Sequence, residues 1–276
     1  QLDIPFEFKA EIKHENTTLY NWKINLGKYL NKDNKDEELK IYDEDILHNN
    51  ILDEIYPQEW IDEGITIESM QKYEVLYYKY RNQAVLPIRN QLGELVGIRC
   101  RNFNPNAKAK YDAFRTLNGK EYKLSTNLLM YGEYQNSFNI KRKKWCMLIE
   151  GEKGVIEADS RFGADNNVTL ALMGSNLSKH NVKTLVELGC ERVIIGIDSD
   201  FKTMDSIEFK QFQNKVFKMY KLLKPYFTVY VMYNNLGFDN CYKFSPFDYT
   251  KEQFTQLWDS KELIDLNNEE IDEVLK

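Results

Sequence analysis

Two short apolar runs in this 276-residue chain end abruptly in acid. "CMLIEGEKG" (146–154) puts Glu150 directly after a strand-like stretch, and "RVIIGIDSDF" (192–201) does the same with Asp198 and Asp200. Carboxylates brought together repel one another unless a cation sits between them. Mg²⁺ suits such a set, because it is a hard ion usually held by one or two carboxylates plus substrate phosphates. A pair of such ions about 4 Å apart is an arrangement for in-line phosphoryl displacement. A single Asp at a strand end has a plainer use as the N-cap of the next helix. Glu150 does not suit that use, since Glu is a poor cap and Gly151 follows it directly.

The acids need strands to present them, and the second half of the chain supplies these. "WCMLIEG", "VTLALMG", "RVIIGID" and "FTVYVMY" read as near-continuous apolar strands. Helices separate them: a short one over 152–160, one in "SKHNVKTLVELG" with Ser178 as its cap and Gly189 at its end, and a longer one stopped before Pro225. That alternation predicts a parallel sheet covered on both faces, with its site at the carboxyl ends of the strands. Upstream, "ILHNNILDEIYPQEWIDEGI" reads as helical, and β-rich runs follow from "SMQKYEVLYY" onward. "AVLPIRN" and "LVGIRCR" read as a hairpin, with Arg99 and Arg101, joined by Arg89, on its solvent face. "NPNAKAKYDAFRTLNGKEYK" reads as a basic loop with aromatics interleaved.

Charge is distributed unevenly. Residues 81–144 hold thirteen Lys and Arg against four acids and so carry +9, which leaves −15 on the rest of a chain whose net charge is −6. Such a window can bind a polyanion locally. Neither an eighteen-residue apolar run nor a secretory leader is present, so a membrane partner is not expected and a cytoplasmic location is. Cys100, Cys146, Cys190 and Cys241 are far apart and read as reduced and structural. His14, His48 and His180 show no metal-ligand spacing. The chain starts at Gln1 and reads as an excised piece of something longer.

"LIEGEKGVIEAD", "LALMGSNLSKH" and "VIIGIDSDF", in that order, resemble the TOPRIM module of primases and topoisomerases. The resemblance extends over about residues 50–260: "WIDEGITIESMQKYEVLYY" and the hairpin are similar to the first half of the catalytic core of DnaG-type primases, in the version carried by phages of Gram-positive hosts. "LLMYGEYQN" matches the segment leading into the module, and "SPFDYTKEQF" the acidic segment that closes it. The resemblance implies an α/β and α+β chain with a mixed α+β basic subdomain (46–143) and a Rossmann-like TOPRIM subdomain with a mainly parallel sheet (144–250), while composition sets off a polar segment before them (1–45) and an acidic helical tail after them (251–276). The implied activity is synthesis of short RNA primers from ribonucleoside triphosphates on a single-stranded DNA template, alongside a replicative helicase, in a host cytoplasm if phage-encoded. By position, Glu150 would be the general acid/base or metal-orienting residue, and Asp198, Asp200 and Asp248 would join it in holding Mg²⁺ or Mn²⁺. Arg89, Arg99, Arg101, Lys108, Lys110 and Arg115 would form the basic ridge for template or nucleotide. Tyr111 and Phe114 would stack on bases or pack under their loop.

Two positions depart from the family's pattern: Gly154 stands where an acid is usual, and Phe244 follows Lys243 where an Asp is usual, with Asp239 as a nearby substitute. These departures keep a non-catalytic nucleic-acid-binding module in view, together with a TOPRIM nuclease. A haloacid-dehalogenase-type phosphatase would need Thr at position 202, which is Lys202. The "KRKK" run (141–144) reads as a nucleic-acid contact because its strand leads to Glu150.

Overall fold

The computed structural model describes residues 39–49, 55–267 and 270. Most of the polar segment 1–45, with His14, and the end of the acidic tail lie outside these residues.

Three short helices, α1 (Asp45–Asn49), α2 (Gln58–Asp62) and α3 (Ile67–Lys72), lead into the first sheet. The start of the run read as β-rich is helical, because the Thr66 hydroxyl accepts the Ser69 N–H at 3.2 Å and caps α3. Strands β1 (Leu76–Tyr78), β2 (Gln83–Arg89), β3 (Leu95–Asn102) and β4 (Tyr111–Ala113) then form an antiparallel sheet in sequence order. β4 arises inside the segment read as loop: it pairs with Arg99–Arg101 of β3, whose outer edge would otherwise be open.

Both faces of the β2–β3 hairpin are covered. Val85, Ile98 and Cys100 face a small core completed by Ile46, Leu47, Phe114 and Tyr122. Ala84 and Leu86 face the main core, and their cross-strand partners are Arg101 and Arg99. Directly opposed residues share a face of the sheet. The two arginines therefore point toward the second sheet rather than to open solvent, which corrects the sequence expectation.

α4 (Glu133–Lys143) connects the two sheets. The second sheet contains β5 (Trp145–Ile149), β6 (Thr169–Ala171), β7 (Arg192–Ile195), β8 (Thr228–Val231) and β9 (Glu262–Leu263), in the order β6-β5-β7-β8-β9. The first four are parallel, and β9 is antiparallel at the edge. The crossovers run through α5 (Glu152–Phe162), α6 (Lys179–Glu187) and α7 (Ile207–Leu223), and α8 (Lys251–Asp259) precedes β9. Ser178 and Asn181 form a capping box at the start of α6. The segment expected as a helical tail thus returns to the sheet after α8. The sheets share one core: Ala84, Leu86, Ile88 and Val96 belong to the same buried cluster as β5–β8.

A buried polar network fixes α3, α4 and α5 against this core. Asn167 donates to Tyr73 Oη (2.9 Å) and Val155 O (2.8 Å), Tyr73 donates to Asn136 (2.7 Å), and Asn136 donates to Thr169 O (2.8 Å). Asp159 accepts from Ser69 at 3.0 Å and pairs with Lys72.

Candidate active site

β5 ends at Ile149, Glu150 follows, and Gly151 keeps the backbone extended for one residue before α5 begins. β7 ends at Ile195, and two buried residues carry the chain on to Asp198. These exits are neighbours because β5 and β7 pair in register from Trp145↔Arg192 to Leu148↔Ile195. The strand order also reverses here: the chain passes from β5 to β6 on one side and from β7 to β8 on the other. Open α/β sheets bind ligands in such a crevice.

A cleft of about 410 Å³ opens at this point. The parallel sheet contributes Glu150, Glu152, Asp198 and Asp248, and the first sheet contributes Arg99, Arg101, Lys110 and Tyr111. A larger share of apolar surface lines a second cavity of about 310 Å³ between α7 and β9, but that cavity holds no comparable set of charges.

The acids are electrostatically coupled. Burial first, and then the charges of Glu150, Asp200 and Asp248, push the Asp198 carboxyl up to about 7. Burial also raises Glu150, opposed chiefly by Lys215 of α7. Lys215 Nζ lies 3.0 Å from Glu150 Oε1 and 3.6 Å from Asp200 Oδ2, bridging the two acids. Asp248 accepts the Ser245 N–H at 2.7 Å and lies 3.9 Å from Lys153, which also pairs with Glu63 at 2.6 Å.

Opposite them, Arg99 reaches Glu152 at 2.9 Å and donates to Met173 O at 2.9 Å. Met173 holds φ +56°, a left-handed conformation that a non-glycine residue adopts at a cost of about 1–2 kcal/mol. Tyr111 lies beneath both arginines, 5.5 Å from Arg99 and 5.3 Å from Arg101. Arg101 Nε and Nη1 are buried with no hydrogen-bond partner. Buried donors of that kind call for an acceptor, and a phosphate oxygen fits.

The remaining predicted site residues are elsewhere. Arg89 is tied to Glu44 and Glu74 with its side chain 9% exposed, so it joins hairpin and helices rather than forming an open ridge. Arg115 pairs with Glu121, and Lys108 is exposed outside the cleft lining. Phe114 is 1% exposed in the small core and cannot stack on a base. Asp239 is exposed and outside the lining. The KRKK run closes α4 at the amino end of β5, with Lys143 donating to Asn166 at 2.7 Å. Its strand is five residues long, which separates it from Glu150 by roughly 17 Å. At Gly154 a Cβ would come within 2.8 Å of Ile149 Cδ1, so the acid usual there would require the end of that side chain to shift.

Sequence reasoning missed Glu152, Lys153 and Lys215. Glu152 carried a signal, being the first residue of a helix that starts at the strand end. Lys215 carried none, since it is one of many lysines along α7.

No family model matches the chain. The SPbeta prophage-derived uncharacterized protein YorJ of Bacillus subtilis is 29% identical over 245 residues, 84% of this chain and 63% of that protein. A DNA primase of Halalkalibacterium halodurans is 32% identical over 125 residues, 45% of this chain and 19% of the primase. The chain therefore spans less than two thirds of these relatives. Among solved structures, the Aquifex aeolicus primase (zinc-binding and RNA polymerase domains) superposes with a TM-score of 0.57 at 16% identity, over 75% of this chain and 56% of that one. The fold is that of a DnaG-type primase catalytic core. A DnaG primase catalytic domain bound to single-stranded DNA gives a TM-score of 0.55 at 13% identity, over 75% and 71% of the two chains. Within the primase-core fold of this chain, the acids lie at the ends of β5 and β7 and the arginines on β3.

Among the described residues, no three Asp, Glu, His or Cys side chains stand close enough together to enclose an ion. The donors are nevertheless all hard oxygens, and the cation bridging Glu150 and Asp200 is a lysine ammonium. Mg²⁺ or Mn²⁺ at this site would take one or two carboxylates from the protein, with water and substrate phosphate completing its shell.

Proposed function

We propose that this chain is the catalytic core of a DNA primase, joining ribonucleoside triphosphates into short RNA on a single-stranded DNA template. The observation that carries this reading is the cleft itself, where acids at two strand ends face Arg99 and Arg101 across about 410 Å³, and Arg101 has unsatisfied donors. One or two of Glu150, Asp198, Asp200 and Asp248 would hold Mg²⁺ or Mn²⁺, which when bound would neutralise phosphate charge and lower the pKa of the attacking hydroxyl. Arg101 offers Nε and Nη1 to phosphate oxygens. Arg99, fixed by Glu152 and Met173 O, holds the β3 edge of the cleft in place. Lys110 and Lys243 add positive charge at the cleft lining for template or nucleotide. Glu150 would orient the metal or take and return a proton, and the burial that raises its carboxyl supports the second role. A replicative helicase is the expected partner, and the cytoplasm the expected site of action. No helix among the described residues is long and apolar enough to cross a membrane.

A second reading, a nucleic-acid-binding module without catalysis, is favoured by glycine in place of an acid at Gly154 and by the spread of the acids. Labelled ribonucleotide incorporation on single-stranded DNA, in magnesium and then manganese, separates the two. RNA product from the wild type supports the primase. DNA binding without product supports the module, and nicked template in place of RNA makes the site a nuclease.

A further inference from the structure

Lys215 is a cation inside the acid cluster, and its position is not that of an ordinary surface lysine. It lies on α7 beside Val216 and three residues after Phe212, at the margin of the apolar stripe that packs α7 down. Its side chain is 26% exposed, and its ammonium stands between Glu150 at 3.0 Å and Asp200 at 3.6 Å. Those acids come from two different strand exits, so the lysine draws together loops that like charge would otherwise push apart. Mg²⁺ binds oxygen at about 2.0–2.1 Å. An ion bridging Glu150 and Asp200 would need the space that the ammonium occupies. The four-carbon stem of lysine allows the head to swing out while α7 stays in place.

We propose that Lys215 is a resident counter-cation that holds Glu150 and Asp200 in register until a divalent ion displaces it, and thereby sets the affinity of the site for metal. This rests on the reading of these carboxylates as metal-binding. It assigns to α7 a residue that tunes when the site is loaded, and it makes metal binding and departure of the lysine one event. Removing the competitor frees both carboxylates for the ion at the cost of the metal-free state.

The test is Mn²⁺ binding by isothermal titration calorimetry, with thermal melting of the same samples, on wild type, Lys215→Met, Lys215→Arg and Asp198→Asn. Lys215→Met is expected to bind Mn²⁺ about tenfold tighter than wild type. It should also melt lower than wild type without metal and regain the difference when Mn²⁺ is added. Lys215→Arg keeps the charge and should stay near wild type on both measures. If Lys215→Met does not fold, Lys215→Gln is judged by the same criteria. Wild-type binding that Lys215→Met leaves unchanged or weakens overturns this proposal and leaves the primase reading standing. Failure of wild type and Lys215→Met alike to bind Mn²⁺ sinks both, whereas binding by Lys215→Met alone confirms the lysine as the block.

Discussion

Arg101 shows most clearly what single residues contribute to this site. Its guanidinium lies on Tyr111 with two buried nitrogens unpartnered, an arrangement that costs stability unless an anion arrives. Arg101→Met keeps the packing and removes the unsatisfied donors. It should therefore leave stability unchanged or raise it by roughly 1 kcal/mol while weakening nucleoside triphosphate binding about tenfold. Denaturant unfolding and a nucleotide titration check the two halves, and a large loss of stability would show that Arg101 is structural. At this scale the sequence was legible where a residue type broke a pattern, as when Glu150, Asp198 and Asp200 ended apolar runs. It was silent where the partner lay far along the chain. Nothing near Arg89 shows that Glu44 and Glu74 will claim it, and nothing near Arg101 shows that its neighbours leave it unpaired.

Among the elements, the parallel strands and their helices were readable because fully buried strands are continuous apolar runs and the caps at Ser178 and Gly189 are local. β4 and β9 were not, since each is two or three residues long and exists because a neighbouring edge is available. α4 contains a buried titratable group whose effect can be measured. Glu133 accepts the Met130 N–H at 2.7 Å, and burial pushes its carboxyl up to about 8. A folded-state value above the unfolded one means that its contribution is complete below the unfolded value of 4.5 and is lost as pH rises through 8. Glu133→Gln keeps an acceptor oxygen and cannot ionise. Its stability relative to wild type should climb between those two pH values, by at most about 1.4 kcal/mol per pH unit, and then level off. Urea unfolding of both proteins across that range gives the difference, and a flat difference would mean that Glu133 ionises as freely as in solvent.

For the whole molecule, the governing feature is the contrast between the +9 window at 81–144 and the −15 on the remainder. The structure divides that window, since Arg99, Arg101 and Lys110 reach the cleft, Arg89 and Arg115 are spent on internal acids, and KRKK lies at the far end of β5. Binding to single-stranded DNA should therefore be salt-sensitive but shallow. About three phosphate contacts imply roughly a twentyfold loss of affinity between 50 and 200 mM salt. Salt-independent affinity would remove the template from this face. Acids from β5 and β7 and arginines from β3 are proposed to form one site of nucleotidyl transfer. Ribonucleotide incorporation on single-stranded DNA by Asp198→Asn, set against wild type and against Asp239→Asn outside the cleft, tests it most directly. Asp198→Asn should lose about a hundredfold or more, and Asp239→Asn should keep wild-type rates. Equal incorporation by wild type and Asp198→Asn would contradict it.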